Sequence, residues 1–209
     1  MGYDKAGFDV VGWDIAHQPN YPFEFHEGDA LEVLRDLDYV RSFDAVHASF
    51  PCQRFTALQA VNRNQDSWPD LIAPGRELLD LAGVTYVMEN VQGAPLRRDL
   101  TLCGEMFGLG VIRHRYFELG GWVAPQPTHM PHRGRVAGYR HGEWFDGPYF
   151  AVYGDGGGKG SVAEWQEAMG IEWTSNRHEL AEAIPPAYTE YVGKQLLEYI
   201  AAAESGVAA

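Results

Sequence analysis

The chain has 209 residues, 45% of them apolar, enough for one globular domain with a small appended lobe. No apolar run is long enough to span a bilayer as a helix, so no transmembrane helix is expected. Sixteen basic against 29 acidic side chains give a net charge of −13, which argues against a nucleic-acid partner, since phosphate contacts supply most of that affinity.

Two cysteines, Cys52 and Cys103, provide neither a disulfide framework nor a zinc spacing, so no metal is expected. The start, Met1-Gly2-Tyr3-Asp4-Lys5, lacks the plan of a signal peptide, and a reducing, cytoplasmic home follows as the expectation.

Residues 1–8 read as the tail of a helix closed by Gly7. A strand over Phe8 to Trp13 ends at Asp14-Ile15. An acidic residue closing the second strand of a nucleotide-binding unit commonly accepts from ribose hydroxyls, whereas position alone favours a turn aspartate. A loop over 16–24, a short strand over Phe23 to His26 and a helix over 30–41 capped by Asp29 come next. The run Phe43 to Ala48 predicts a buried strand, and it leads into Ser49-Phe50-Pro51-Cys52-Gln53-Arg54-Phe55-Thr56. Pro51 fixes its own φ and pushes Phe50 to an extended conformation, so the backbone before the thiol is held firmly. Residues 53–68 are polar and suit a mobile loop that closes over a substrate.

A helix over Pro74 to Leu81 turns Leu78, Leu79 and Leu81 inward and ends at Gly83. The strand that follows, Val84 to Val91, finishes in Glu89-Asn90. Open α/β sheets bind ligands at the carboxyl ends of their strands. As parallel neighbours, these two strands would turn Cys52 and Glu89 into one crevice, a nucleophile beside a proton donor. A loop over 92–98 continues through Cys103 to Phe107, and Cys103 reads as a core cysteine.

Arg113 to Leu119 predicts a strand with Arg113 and Arg115 on one face, either an exposed basic edge or a substrate contact. Residues 97–140 carry seven arginines against three acidic side chains, a local balance of +4, with His114, His129, His132 and His141 in reserve. From Gly120 the composition shifts to Gly, Pro, His and aromatics, so 120–160 reads as a small irregular lobe. Gly154 to Ser161 fails the phosphate-loop spacing and suits a hinge or backbone-contacting loop. A helix over Val162 to Met169, a closing segment from Arg177 and a last helix over 187–203 complete the chain.

Taken in this order, Phe50-Pro51-Cys52-Gln53, Glu89-Asn90-Val91, Arg113-His114-Arg115 and Ala183-Ile184-Pro185-Pro186 resemble the DNA cytosine-5 methyltransferase family over nearly the whole chain. The resemblance implies an α/β, Rossmann-like catalytic domain over 1–119 and 179–209 with a mostly parallel sheet. It makes 120–178 a target-recognition region whose arginines contact phosphates and base edges. It implies S-adenosylmethionine as cofactor and double-stranded DNA as partner, in a compact phage or restriction–modification type of enzyme. Cys52 would be the nucleophile and Glu89 the acid at N3. Asn90 would orient the loop, and Arg115, with Arg113, would steady the base. Asp14 would hold the ribose, Ile15 pack on the adenine, and Asp29 with Ala30 meet its amino group. Pro51, Leu71 and Ile184 would line the pocket.

Three departures accompany the resemblance. The family opens with a strand and a glycine-rich turn, Phe-x-Gly-x-Gly, that grips the methionine part of the cofactor, while Met1-Gly2-Tyr3 matches the helix after it. Three expectations stay open for that piece: an upstream start, a partner chain that supplies it, or a form that binds cofactor poorly. Ala181-Glu182 stands where the family has Gly-Asn, and Val111 where it has glutamine. Two other functions stay open on the sequence: a weak or inactive homologue that binds DNA or a partner, and an enzyme on free pyrimidine nucleotides or RNA.

Overall fold

The computed structural model describes residues 1–56, 65–154 and 160–206. The centre of the predicted 53–68 loop and most of the Gly154 to Ser161 loop lie outside the described residues.

The fold is mixed α/β. Helix α1 (Gly2–Ala6) ends at Gly7, whose φ of 113° lies in the left-handed region. Strands β1 (Val11–Asp14) and β2 (Glu24–Glu27) pair in parallel. Asp29 then caps α2 (Ala30–Arg35), its side chain accepting from the Leu31 and Glu32 amides. The single helix expected over 30–41 is two, because Asp36 ends α2 and its side chain caps α3 (Leu37–Val40) by accepting from Tyr39 N.

The main sheet has the order β3 (Val46–Ala48), β4 (Tyr86–Val91), β6 (Arg115–Gly120), β5 (Leu100–Leu102). Strands β3 and β4 are parallel neighbours, as the crevice argument requires, with Ala48 beside Met88. Both pairings of β6 are antiparallel, so the sheet is mixed and not mostly parallel. Helix α4 (Ile72–Ala82) and the last helix, α7 (Pro186–Glu204), cover its two faces.

Side-chain alternation along β4 assigns its residues to those faces. Tyr86 and Met88 pack with Ile72 and Leu79 of α4, while Val87 packs with Tyr188, Val192 and Leu196 of α7. Leu81 is 63% exposed, contrary to expectation; the inward stripe of α4 is Ile72, Gly75, Leu79 and Ala82. Gly75 is required there, because a Cβ would come within 2.2 Å of the Phe50 ring. Gly2 has a similar role in α1, where a Cβ would lie 2.2 Å from the Pro186 carbonyl oxygen at the start of α7.

No ladder joins β1 to β3 among the described residues, so one edge of each faces a gap. A short hairpin, β7 (Gly138–Arg140) and β8 (Glu143–Phe145), follows the main sheet. Helices α5 (Val162–Met169) and α6 (Arg177–Glu182) share a third apolar cluster through Trp165, Met169, Leu180 and Val111. Helix α5 matches its predicted span because Ser161 and Glu164 form a capping box and Gly170 stops it. No helix among the described residues is long and apolar enough to cross a membrane.

Candidate functional site

A cleft of about 1290 Å³ runs from the gap between β1 and β3 to the turn after β3. Cys52, Glu89, Asn90, Arg113 and Arg115 line it, and so do Asp14, Ile15, Asp29, Ala30, Pro51, Leu71 and Ile184. The structure therefore brings the twelve candidate catalytic and cofactor residues to one concavity, although they come from seven separate stretches of chain.

Cys52 follows Pro51 and opens a 3₁₀ turn, Gln53–Phe55, with Phe55 N donating to Cys52 O. Its thiol is half-buried. Burial pushes its pKa up, and Glu89 adds to the rise, while the nearby Arg115 and Arg113 guanidinium groups oppose it. The loop is anchored from β4: Asn90 Nδ2 donates to the Phe50 carbonyl at 2.7 Å, and Asn90 Oδ1 accepts from Val91 N at 2.9 Å. Phe50 itself packs against α4 at Gly75. Ends of the 53–68 stretch are tied as well, since Arg54 bonds the Trp68 carbonyl at 2.9 Å and Asp66 at 3.0 Å.

Glu89 is 6% exposed, and burial raises its pKa against the pull of Arg115, Ser49 and Arg113. Arg115 Nε lies 3.0 Å from Glu89 Oε1, an ionic contact whose alignment is not that of a hydrogen bond, so Oε1 has no aligned donor among the described residues. Oε2 is engaged by Ser49 Oγ at 2.8 Å. Behind it, Ser49 Oγ meets His47 Nε2 at 2.9 Å, and His47 Nδ1 meets Tyr3 Oη at 2.7 Å. Burial lowers the His47 pKa to about 4, so the ring is neutral near pH 7. With the proton on Nε2, donors run Tyr3 to His47 to Ser49 to Glu89, all toward the carboxylate. Sequence reasoning missed this relay, whose first link spans 44 residues.

Arg113 departs from its predicted place. Strand β6 begins at Arg115, so the alternation argument does not reach Arg113. Its Nη1 and Nη2 donate to the Val152 and Ala181 carbonyls at 2.7 and 2.6 Å, and Tyr188 Oη donates to its own carbonyl at 2.7 Å. Burial, helped by the neighbouring Arg115 charge, lowers its pKa to about 9. Arg113 ties the segment before β6 to residues 152 and 181 and adds positive potential to the cleft. It is not an exposed edge.

The expected basic face is reduced in the same way. Arg97 contacts Glu118 and Asp99, Arg115 contacts Glu89 and Arg133 contacts Glu105, so with Arg113 four of the seven arginines serve internal partners. Arg98 lies over the Tyr116 ring at 4.6 Å. Glu118, fully buried, holds Arg76 Nε and Nη2 at 2.7 and 2.8 Å and Arg97 N at 2.8 Å, which fixes β6 to α4 and to the loop after β4.

At the other end of the cleft, Asp14 forms the predicted turn, Oδ1 accepting from Ala16 N at 2.8 Å. Both cap bonds of Asp29 go to Oδ1, which leaves Oδ2 uncommitted among the described residues. Ile15 is 72% exposed at the rim, open to packing by a flat ligand. Two carboxylates beside an exposed aliphatic side chain, within a cleft of this size, suit a nucleoside with free hydroxyl and amino groups.

Cys103 is buried as expected, but not as an isolated core thiol. Its sulfur gathers with the ring nitrogens of His114, His129 and His132, all four within 4.8 Å of one another. No family model matches the chain, and no curated protein matches it either.

Proposed function

We propose that the protein is a DNA cytosine-5 methyltransferase with a Rossmann-like catalytic unit over 1–119 and 179–209 and a target-recognition region over 120–178. The convergence of Cys52, Glu89, Asn90 and Arg115 at one end of a cleft whose other end carries Asp14, Ile15, Asp29 and Ala30 supports this reading.

Cytosine C5 is too weak a nucleophile to take a methyl group until a thiolate has added to C6. Cys52 supplies that sulfur. Burial holds its pKa up, Arg115 and Arg113 work against that rise toward the thiolate, and the Asn90 bond to Phe50 fixes the turn that carries it. Glu89, inclined by burial to hold a proton, donates to N3 and relieves the charge that builds in the ring as the S–C6 bond forms. Bound S-adenosylmethionine supplies the electrophilic methyl group. Water in the open cleft then takes the C5 proton, whose electron pair re-forms the C5–C6 double bond; the S–C6 bond breaks, the thiolate returns to Cys52, and N3 gives its proton back to Glu89. A base within a duplex cannot reach a half-buried thiol, so the target nucleotide has to leave the stack.

For the cofactor, Asp14 and Asp29 offer the polar contacts, and Ile15, Ala30, Pro51, Leu71 and Ile184 the walls. The free edges of β1 and β3 gain a use: a strand from a partner chain, carrying a glycine-rich turn, would pair with them and complete the grip. The same open gap favours a second reading, a homologue that binds DNA or a partner without transferring methyl.

Calorimetry with S-adenosylmethionine, followed by transfer of labelled methyl to duplex DNA, dCMP or tRNA, separates these readings. Binding with transfer to duplex DNA is expected. No detectable cofactor binding would sink the enzyme, and preference for dCMP or tRNA would overturn the substrate.

A further inference from the structure

We propose that Cys103, His114, His129 and His132 form a structural zinc site that clips the irregular segment 121–137 to the sheet beside the catalytic strand. The inference is independent of methyl transfer and differs from the expectation, drawn from cysteine spacing alone, that the chain holds no metal.

Distances carry the argument. Zinc with tetrahedral ligands at about 2.3 Å to sulfur and about 2.0–2.1 Å to nitrogen sets its ligand atoms roughly 3.3–3.6 Å apart. Cys103 Sγ lies 3.5 Å from His132 Nε2, and His114 Nε2 lies 3.1 Å from His129 Nε2. Every pair of the four atoms is within 4.8 Å. A rearrangement of a few tenths of an ångström to about one ångström therefore closes a tetrahedron. The rings of His114 and His129 are stacked at 12°, and His132 lies 5.2 and 5.0 Å from them, centroid to centroid. Three imidazoles and a thiol converging in this way have few donors to satisfy one another, since each neutral ring offers one N–H.

The chain is built to deliver these four groups. Cys103 follows β5 and opens the 3₁₀ turn Gly104–Phe107, and His114 immediately precedes β6, the neighbour of β5. His129 and His132, three apart, come from a segment with no helix or strand. That segment is aligned by Gln126, which accepts from Thr101 N at 2.7 Å and donates to Thr101 O at 3.0 Å, and by Tyr191 Oη donating to Pro125 O at 2.5 Å. Glu105, the nearest acid in sequence, is engaged by Arg133 and Tyr149. The donor set is thus one sulfur and three nitrogens, which selects zinc over magnesium or calcium. Four protein ligands leave no open position, so the role is structural.

The full chain, purified without a histidine tag and loaded with zinc, is expected to hold one zinc ion per chain by elemental mass spectrometry. Cys52→Ser should hold the same amount. His129→Ala, at an exposed position, and His132→Ala should lose it, and a chelator should lower the melting temperature of the wild type but not of His129→Ala. Cobalt substitution should give a thiolate-to-metal charge-transfer band and intense tetrahedral d–d bands, with the former lost in Cys103→Ser. No zinc retained by the wild type, undiminished zinc in both histidine variants, or a weak octahedral cobalt spectrum would overturn the proposal. If Cys103→Ser fails to fold, the His129→Ala metal content and chelator response decide.

Discussion

Asn90→Ala tests how the nucleophile is held. Its Nδ2 donates to a buried carbonyl, that of Phe50, two residues before Cys52. Alanine leaves that oxygen without its donor, at a cost of about 1–3 kcal/mol. For a chain of this size each kcal/mol moves the melting temperature by about 2–4 °C, so a fall of roughly 2–12 °C is expected. Chemistry should suffer more, because a misplacement of about 1 Å costs on the order of 100-fold in rate. Asn90→Asp keeps the shape but removes the donor and adds a second carboxylate beside Glu89, so it should be at least as slow. Melting curves and single-turnover methyl transfer read the two effects. Wild-type stability and rate in Asn90→Asp would refute the claim that this hydrogen bond positions the thiol.

Glu118→Ala strands Arg76 and Arg97 and should cost about 3–5 kcal/mol, read by urea unfolding. Hydrogen bonds from Arg76 and the Arg97 amide outweigh burial and hold the Glu118 pKa below its ordinary 4.5. Its contribution is therefore full above pH 4.5 and fades as pH falls through the folded value; the variant should flatten that acid limb. Glu89 has the opposite sign. Folding raises its pKa, so stability is lost as pH rises from 4.5 through the folded value, and the ionised form is a liability at neutral pH. Glu89→Gln should abolish methyl transfer yet melt at or above the wild type at pH 7.5, and a large loss of stability there would contradict the burial argument.

The cleft wall that carries Cys52 and Glu89 was legible because its signals are local. A Pro-Cys turn after one apolar strand, and Glu-Asn at the end of another, need only parallel pairing to meet, and β3 and β4 pair in parallel. Helix α5 was legible for a similar reason, since Ser161, Glu164 and Gly170 mark both its ends. Arg113 was misread because period-two reasoning presumes a strand, and the strand starts two residues later. The inward placement of Leu81 failed on helix phase, since Leu79 and Ala82 already define the buried stripe. Tyr3 and His47 meet only through the packing of α1 against α7 and β3, a contact no spacing reveals. The histidine cluster has a faint local signal, His129-x-x-His132, but Cys103 and His114 reach it through the β5–β6 pairing and the Gln126 bonds to Thr101. The arginine excess over 97–140 misled in the other direction, because charge counts do not reveal internal partners such as Glu118 and Glu105.

The central claim is that the Cys52 sulfur attacks a cytosine whose N3 is met by Glu89. Duplex DNA carrying 5-fluorocytosine, incubated with the protein and S-adenosylmethionine, tests it directly, because fluorine at C5 blocks release of the adduct. A denaturant-resistant protein–DNA complex is expected from the wild type, none from Cys52→Ser, and far slower formation from Glu89→Gln. A complex that persists in Cys52→Ser, or none at all from the wild type with cofactor bound, would contradict the account.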